Sequence, residues 1–244
     1  MKPGHVLLER AISKLGIASR SQAREWILAG KVRVHGLVQT NPGYPVIPEK
    51  AKIEIDERPV SKAAPRTVML YKPRGVVTTR SDEKNRPTVF SLIHEQDLHW
   101  IAVGRLDMAT SGLLLLTNDT RLAAWLTDPL NAIRRTYLVT VRGRVSEAAL
   151  DKLRAGLDDR GEALQADEIV LRKTSSKESH LTVYLREGKN REIRRMFAAI
   201  GHEVIRLKRV AYGKLTLDKL QPGEYRELSS EELALITQNC PNKL

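Results

Sequence analysis

The spacing of apolar residues predicts a small module at the start of the chain. Over residues 6–15 apolar side chains recur at helical spacing. Ser19 and Gln22 then have the spacing of a capping box, which predicts the start of a second helix. Alternating apolar residues predict short strands at 31–34 and 53–55. Residues 1–60 are therefore expected to form one compact domain, with a core that includes Ala23, Trp26 and Ile27.

The rest of the chain predicts a larger domain after a linker. Residues 61–66 carry Pro and small polar residues without periodicity, which is typical of a linker. Over 67–244 short apolar or alternating runs predict strands at 67–71, 100–103, 113–116, 135–141, 167–172, 180–185 and 204–210. Predicted helices follow capping residues at 118–120, Ser146, Asn190 and Ser229. Because these elements follow no regular βαβ repeat, the expected fold class is α+β.

Charge indicates a polyanionic partner. The 244 residues carry a formal net charge of +12, the pI is near 9.9, and 41% of the residues are hydrophobic. The charge clusters, since residues 186–214 hold nine Lys or Arg against three Glu. Nucleic acid is the simplest partner for such a protein. Aromatic residues are only 5% of the chain, which argues against a binding surface built from stacked aromatic rings.

Cysteine content and hydropathy indicate the cellular compartment in which the protein is expected. The single cysteine, Cys240, excludes an internal disulfide and a cysteine-based metal cluster, and it fits a reducing compartment. No run approaches the length of about eighteen apolar residues that a membrane-spanning helix needs. The N-terminal residues lack a signal-peptide pattern. The expected location is the cytoplasm, with no membrane association and no metal site.

One acidic residue stands out as a catalytic candidate. Asp107 lies on a polar connection between Gly104 and Gly112, and an apolar run precedes and follows this connection. Both runs have the length of buried strands, so the carboxylate is expected on a rigidly held loop. The residue pattern alone leaves two interpretations open with similar weight, because Asp also caps turns in glycine-flanked loops.

Two groups of basic residues are candidates for contacts to an anion. Arg191, Arg194 and Arg195 are spaced to form one stripe on a predicted helix, where phosphates or a carboxylate such as Asp107 would relieve their repulsion. A solvated basic helix explains the same spacing. In the first domain, Arg20 and Arg24 share one face of the second predicted helix, and Lys31 and Arg33 follow on one side of the strand. These four residues are candidates for phosphate contacts, although exposed basic residues are usually only solvated.

Residues 104–119 (GRLDMATSGLLLLTND) are very similar to the active-site motif of RNA pseudouridine synthases. The resemblance is to the ribosomal RNA group that includes small-subunit enzyme A and large-subunit enzymes B, E and F. The start of the larger domain at 71–79 also resembles this group, and residues 71–73 and 100–103 are more similar to the large-subunit enzyme B type. Residues 8–40 resemble the S4 RNA-binding module. Together these resemblances span nearly the whole chain, from Leu8 to about Ile236.

The resemblance implies a site, a reaction and a fold. It implies isomerisation of a specific uridine in ribosomal RNA, with large-subunit RNA favoured, and without a cofactor or metal. Asp107 would be the catalytic carboxylate, Arg194 its partner, and Tyr137 the ring that packs against the target base. The residues implied in substrate binding are Arg105, Leu207, Lys189, Arg191 and Arg195. The implied fold has a mixed, mainly antiparallel sheet flanked by helices, and the expected partner of the monomer is ribosomal RNA or a ribosome-assembly intermediate.

Two other classes of function are weighed against a synthase. A non-catalytic RNA-binding or ribosome-assembly protein could have the same domains, but the retained Asp107, Tyr137 and Arg194 argue against it. A nucleic-acid glycosidase or hydrolase normally needs a pair of carboxyl groups. Only Asp107 lies in the central loop, because Asp119 follows twelve residues later, beyond a predicted strand.

Overall fold

A computed structural model describes residues 3–94, 99–238 and 240. The chain divides into two compact units. The first contains the described residues up to Thr67, with those of the ranges 94–101 and 117–121. The second contains the described residues of the ranges 68–93, 102–116 and 122–244. Residues 61–66 form neither helix nor strand.

The elements before the predicted linker comprise two helices and six short strands. The helices are α1 (Leu8–Lys14) and α2 (Arg20–Leu28). The strands are β1 (Val6–Leu7), β2 (Val32–Val34), β3 (Leu37–Val38), β4 (Pro45–Val46), β5 (Ile53–Ile55) and β6 (Arg58–Val60). A four-stranded sheet has the order β3-β2-β5-β6, and β1 pairs with β4.

The predicted core and helix start of this part are confirmed. Ala23 and Ile27 are fully buried, and Trp26 packs against the same cluster. The Ser19 hydroxyl accepts a hydrogen bond from the Gln22 backbone N–H at 3.1 Å, as an N-cap does. One prediction was wrong. Val6 belongs to a strand that pairs with Val46 rather than to the first helix, so pairing with a distant segment overrides the local helical spacing.

From Thr67 onward the chain forms eleven strands and four α-helices within the described residues, besides two short 3-10 helices. The strands are β7 (Thr67–Lys72), β8 (Ile101–Ala102), β9 (Ser111–Thr117), β10 (Arg135–Arg142), β11 (Leu157–Asp159), β12 (Glu162–Leu164), β13 (Glu168–Thr174), β14 (Glu178–Leu185), β15 (Val204–Tyr212), β16 (Leu215–Thr216) and β17 (Tyr225–Glu227). The helices are α3 (Thr120–Thr127), α4 (Glu147–Ala155), α5 (Glu192–Ala199) and α6 (Ser230–Thr237). No helix within the described ranges is long and apolar enough to cross a membrane.

A nine-stranded sheet positions the candidate residues. Its order is β13-β14-β10-β15-β9-β7-β17, with β16 added to β15 and β8 added to β9. Strand β10 runs antiparallel to β14 and β15, whereas β9 and β15 run parallel. The predicted α+β class, with a mixed and mainly antiparallel sheet, is confirmed. Residues on β9, β10 and β15 that are far apart in sequence therefore lie side by side.

Two local predictions in this part need correction. The apolar run at 100–103 forms only the two-residue strand β8. Asn190 is not the cap of α5, because Arg191 occupies the position before the helix with a left-handed backbone (φ 48°) and no side chain caps the end. The caps at Ser146 and Ser229 are confirmed, since each hydroxyl accepts a backbone N–H of the helix that follows.

Candidate active site

The loop that carries Asp107 is held through its backbone. The Thr78 hydroxyl donates to the Leu106 carbonyl at 2.9 Å and lies 3.3 Å from the Leu106 N–H. The Gly75 N–H donates to the Met108 carbonyl at 2.8 Å, and the Thr110 N–H donates to the Asp107 carbonyl at 2.9 Å. Because these bonds fix backbone on both sides of Asp107, the carboxylate projects from a rigid turn, as predicted.

A buried lysine completes this support. Lys72, the last residue of β7, is fully buried, and its ammonium donates to the carbonyls of Thr110 (2.8 Å), Pro73 (3.0 Å) and Asp107 (3.1 Å). Burial lowers the pKa of Lys72 to about 8, and the charge of Asp107 opposes this shift. Lys72 was not predicted as a site residue from the sequence. Its signals were a Lys immediately before a Pro-containing turn and its place in the segment 71–79 that resembles the synthase group.

Two arginines face the Asp107 carboxylate. Its Oδ2 lies 3.6 Å from Nη1 of Arg191 and 3.9 Å from Nε of Arg194. These are ion-pair distances, longer than hydrogen bonds, and the Asp107 side chain is 34% exposed. The two cations therefore lie beside the carboxylate while leaving it partly accessible.

The Arg194 guanidinium is fixed by the protein rather than by Asp107. Its Nη1 donates to the Val204 carbonyl at 2.8 Å, and its Nη2 lies 3.4 Å from the Ala109 carbonyl. Burial lowers the pKa of Arg194 from its ordinary value, with a further contribution from Arg191, whereas Asp107 raises it. Arg191 is more exposed, at 52% against 13% for Arg194. Arg194 is therefore the rigid partner and Arg191 the accessible one.

Asp107 lines a cavity of about 190 Å³. One wall comes from neighbouring strands, because Tyr137 on β10 and Leu207 on β15 are both buried and both reach the cavity. Predicted site residues that line the cavity are Arg105, Asp107, Tyr137, Lys189, Arg191 and Leu207. The structure therefore brings together residues as far apart in sequence as Arg105 and Leu207, with Arg194 beside them through its ion pair with Asp107.

Two buried arginines that were not predicted as site residues also line the cavity. Arg135 and Arg209 are buried, and their guanidinium groups lie 5.2 and 5.3 Å from the ring centre of Tyr212. Arg135 donates to the Arg186 carbonyl at 2.8 Å, and Arg209 donates to the Leu113 carbonyl at 2.7 Å. Charged residues within strands are usually exposed, so strand patterning alone gave no signal for this pair.

A second carboxyl group lines the same cavity. Glu192, the first residue of α5, is 3% exposed. Burial is the largest cause that raises its pKa, and the neighbouring Glu187 adds to the shift, which reaches about 8. The expectation of a single carboxylate came from the central loop alone, because α5 is distant in sequence.

Arg195 does not join the cavity. Its guanidinium binds the carboxylates of Asp159 and Glu162, each at 2.5 Å, and so ties α5 to the hairpin of β11 and β12. The stripe inferred from spacing assumed that Arg191, Arg194 and Arg195 lie on one helix. Because Arg191 precedes the helix in a left-handed conformation, it shares Asp107 with Arg194, while Arg195 is directed elsewhere.

The predicted RNA-binding residues of the first unit are exposed and already paired with carboxylates. Arg20 and Arg24 both approach Glu9, at 3.0 and 3.4 Å, which confirms that they share one side of α2. The other two pairs are Lys31 with Asp56 at 3.5 Å and Arg33 with Glu57 at 3.4 Å. Both partners are exposed only in the pairs of Lys31 and Arg33, and exposed pairs of this kind contribute little stability, whereas Glu9 is buried.

Two family models match this chain. The family model described as RNA pseudouridylate synthase matches residues 66–199, and the S4 domain model matches residues 8–49. A relative from Bacillus subtilis, ribosomal large subunit pseudouridine synthase B, is 40% identical over 228 residues, which is 93% of either chain. The protein of that name from Haemophilus influenzae is 36% identical over 95% of this chain and 67% of its own. A crystal structure of a pseudouridylate synthase superposes with a TM-score of 0.67 and 28% identity, over 95% of this chain and 99% of the other.

Proposed function

The chain belongs to the RNA pseudouridine synthase family, and we propose that it isomerises one uridine of large-subunit ribosomal RNA with Asp107 as the catalytic carboxylate. The observation that carries the catalytic role is the position of Asp107, on a rigid loop, at a cavity, beside two guanidinium groups. The two relatives named for the large ribosomal subunit support the choice of RNA.

The reaction rearranges atoms that the substrate already contains. The bond between N1 of uracil and C1′ of ribose breaks, and a bond between C5 and C1′ forms. C5 then loses a proton to a base, and N1 gains a proton. Since atoms and electrons balance within the substrate and solvent, this chemistry needs neither a metal nor an organic cofactor.

Asp107 would act at the junction of sugar and base. Whether it adds to the sugar, adds to the base or removes a proton, it must be ionised and aimed at that junction. Arg194, fixed by two carbonyl groups, and the accessible Arg191 place positive charge beside the carboxylate. The backbone bonds around the loop set the direction of the carboxylate.

The target base has to leave the RNA stack to reach the cavity. Tyr137 would pack against the uracil ring, and Leu207 on the adjacent strand would form an aliphatic wall beside it. Arg105 and Lys189 at the cavity would contact the RNA backbone near the extruded nucleotide.

The domain roles follow from the same proposal. Residues 1–60 would dock on RNA through Arg20, Arg24, Lys31 and Arg33, residues 61–66 would be the linker, and 67–244 would form the catalytic domain. Part of the catalytic range, namely 95–98, 239 and 241–244, lies outside the described residues. We further propose that the protein acts as a monomer, in the cytoplasm, on ribosomal RNA or an assembly intermediate.

The proposal is tested by mapping pseudouridines in ribosomal RNA from cells with and without this protein, using carbodiimide adducts that stop primer extension. We expect one stop in large-subunit RNA to disappear when the protein is absent and to return with the wild-type gene. Asp107→Asn should bind RNA without restoring the stop. An unchanged set of stops in cells that lack the protein would contradict the function, and restoration by Asp107→Asn would remove the carboxylate from the mechanism.

A further inference from the structure

Glu192 presents an unusual hydrogen-bond arrangement at the cavity. Its Oε2 accepts the backbone N–H of Lys189 at 3.1 Å. Its Oε1 is buried, and no hydrogen-bond donor of the described residues reaches it. An ionised carboxylate is acceptor-only, so a charged Glu192 would hold one oxygen out of water with nothing to bind. A protonated Glu192 would instead carry a donor of its own.

The group that could accept this proton is Glu187. Burial raises the pKa of Glu192 most, and a side-chain hydrogen bond with Glu187 raises it further. Lys189 binds Glu187 through its ammonium, which lies 2.5 Å from Oε1 of Glu187. Glu187 is also the more exposed of the two, with a side chain 35% accessible. The proton of the pair therefore belongs on Glu192, the more buried of the two.

Two influences oppose this arrangement. The Lys189 N–H and ammonium favour the ionised form of Glu192 and lower its pKa. The N-terminus of α5 also favours a negative charge on its first residue. Burial and the charge of Glu187 outweigh both, since the pKa still rises to about 8.

We propose that Glu192 is a positioning residue that carries a proton at neutral pH and donates it to Glu187, so that an O–H···O bond closes the turn of residues 187–192. This turn carries Arg191 in its left-handed conformation and leads into Arg194, and both arginines face Asp107. Glu192 thus acts on the reaction through these arginines, and the inference rests on the proposed function. When the proton is lost to solvent, two adjacent carboxylates repel each other and the turn opens.

Substitutions at Glu192 separate a neutral donor from a charged carboxylate. Glu192→Gln keeps an oxygen for the Lys189 N–H and supplies an N–H for Glu187, whereas Glu192→Ala supplies neither. At pH 7 we expect pseudouridine formation by Glu192→Gln to stay within about threefold of wild type. Glu192→Ala should lose at least about tenfold in kcat with little change in KM, because misaligned catalytic groups slow the chemical step. Glu147→Gln, with an exposed carboxylate on α4, is the matched control and should behave as wild type.

The pH profile distinguishes positioning from a merely structural role. The kcat of wild type should fall above about pH 8, and Glu192→Gln should lack that part of the fall. Lys72 titrates in the same range in both proteins, so the difference between their profiles isolates Glu192. If Glu192→Gln is as impaired as Glu192→Ala at pH 7, or if the two profiles coincide, the proposal is overturned. Should Glu192→Ala fail to fold, the comparison of Glu192→Gln with wild type decides.

Thermal unfolding tests whether Glu192 is protonated in the folded protein, without relying on activity. Because folding raises the pKa of Glu192 from its ordinary 4.5 to about 8, the native state binds more protons than the unfolded chain between those values. The unfolding temperature of wild type should therefore fall relative to Glu192→Gln as pH rises from about 5 to 8. A difference that stays constant across this range would overturn the proton assignment. If wild type makes no pseudouridine at all, the proposed function fails, yet the comparison of unfolding temperatures still tests whether Glu192 is protonated.

Discussion

Replacing Lys72 by Met tests whether the buried ammonium holds the loop of Asp107. The substitution keeps a long side chain and removes the donors of three carbonyl groups. The Asp107 carbonyl keeps the Thr110 N–H, so the carbonyls of Pro73 and Thr110 are the ones that lose their donor. Each buried acceptor left unpaired costs about 1–3 kcal/mol, and removal of a buried charge offsets part of this. We expect a net loss of about 2–4 kcal/mol in the free energy of unfolding.

The same change should impair catalysis more than RNA binding. A displacement of about 1 Å in a catalytic group lowers the rate by about 100-fold. We therefore expect kcat of Lys72→Met to fall by roughly that factor, with RNA affinity within about threefold of wild type. Single-turnover pseudouridine formation and filter binding measure the two quantities. A variant with wild-type kcat and an unchanged unfolding transition would refute the role of Lys72.

The titration of Lys72 gives a separate stability test. Folding lowers its pKa from the ordinary 10.5 to about 8, so between these values the unfolded chain binds more protons than the native protein. The stability that wild type gains from the neutral form of Lys72 is therefore fully present above pH 10.5 and is lost as pH falls towards 8. The stability difference between wild type and Lys72→Met should follow that course in urea titrations. A pH-independent difference would show that Lys72 does not titrate as inferred.

Three further predictions concern packing, the arginine that binds the hairpin of β11 and β12, and RNA docking. A Cβ on Gly112 would lie 2.1 Å from a backbone oxygen of β15, so Gly112→Ala should destabilise by about 3 kcal/mol or more. Gly161→Ala, where nothing lies within 4 Å, should cost only about 1 kcal/mol in thermal unfolding. Arg195→Ala should lower the unfolding temperature while kcat changes less than about threefold, and a kcat loss without a stability change would contradict its assignment to the hairpin. Replacing both Arg20 and Arg24 by Ala should weaken RNA binding and reduce the slope of log K against log salt by about 2, and an unchanged slope would remove them from the RNA interface.

The parts of the site that local pattern describes were predictable. The run after Asp107 forms β9, whose four consecutive leucines are fully buried, and glycine-flanked polar residues form the loop before it. Ser19 and Ser229 cap helices because hydroxyl groups at such positions satisfy free backbone N–H groups. These features depend on neighbours in sequence, which is the information that spacing carries.

The parts of the site that depend on pairing between distant strands were not predictable from local pattern. The proximity of Tyr137, Leu207 and Asp107 follows from the pairing of β10, β15 and β9, which no local spacing encodes. Lys72 and Arg209 are buried charges inside strands, where strand patterning expects apolar residues. The family resemblance supplied Tyr137, Leu207 and Asp107, but not Lys72 or Arg209.

The arginine stripe shows how one backbone angle alters an inference from spacing. Helical spacing places Arg191, Arg194 and Arg195 on a common side only if all three are helical. The left-handed backbone of Arg191 breaks that assumption, and Arg195 instead binds two carboxylates of a hairpin. Non-glycine residues in this conformation are uncommon, and the sequence gives no reason to expect one here.

The most direct test of the catalytic proposal follows the hydrogen at C5 of uridine, which must leave the base during isomerisation. Large-subunit RNA labelled with tritium at C5, from cells that lack this protein, would be incubated with purified wild type or Asp107→Asn. We expect wild type to release tritium to water, to a limit of one uridine per RNA molecule, and Asp107→Asn to release none while still binding the RNA. Release by Asp107→Asn at the wild-type rate, or no release by wild type, would contradict the assignment of Asp107 as the catalytic carboxylate of a pseudouridine synthase.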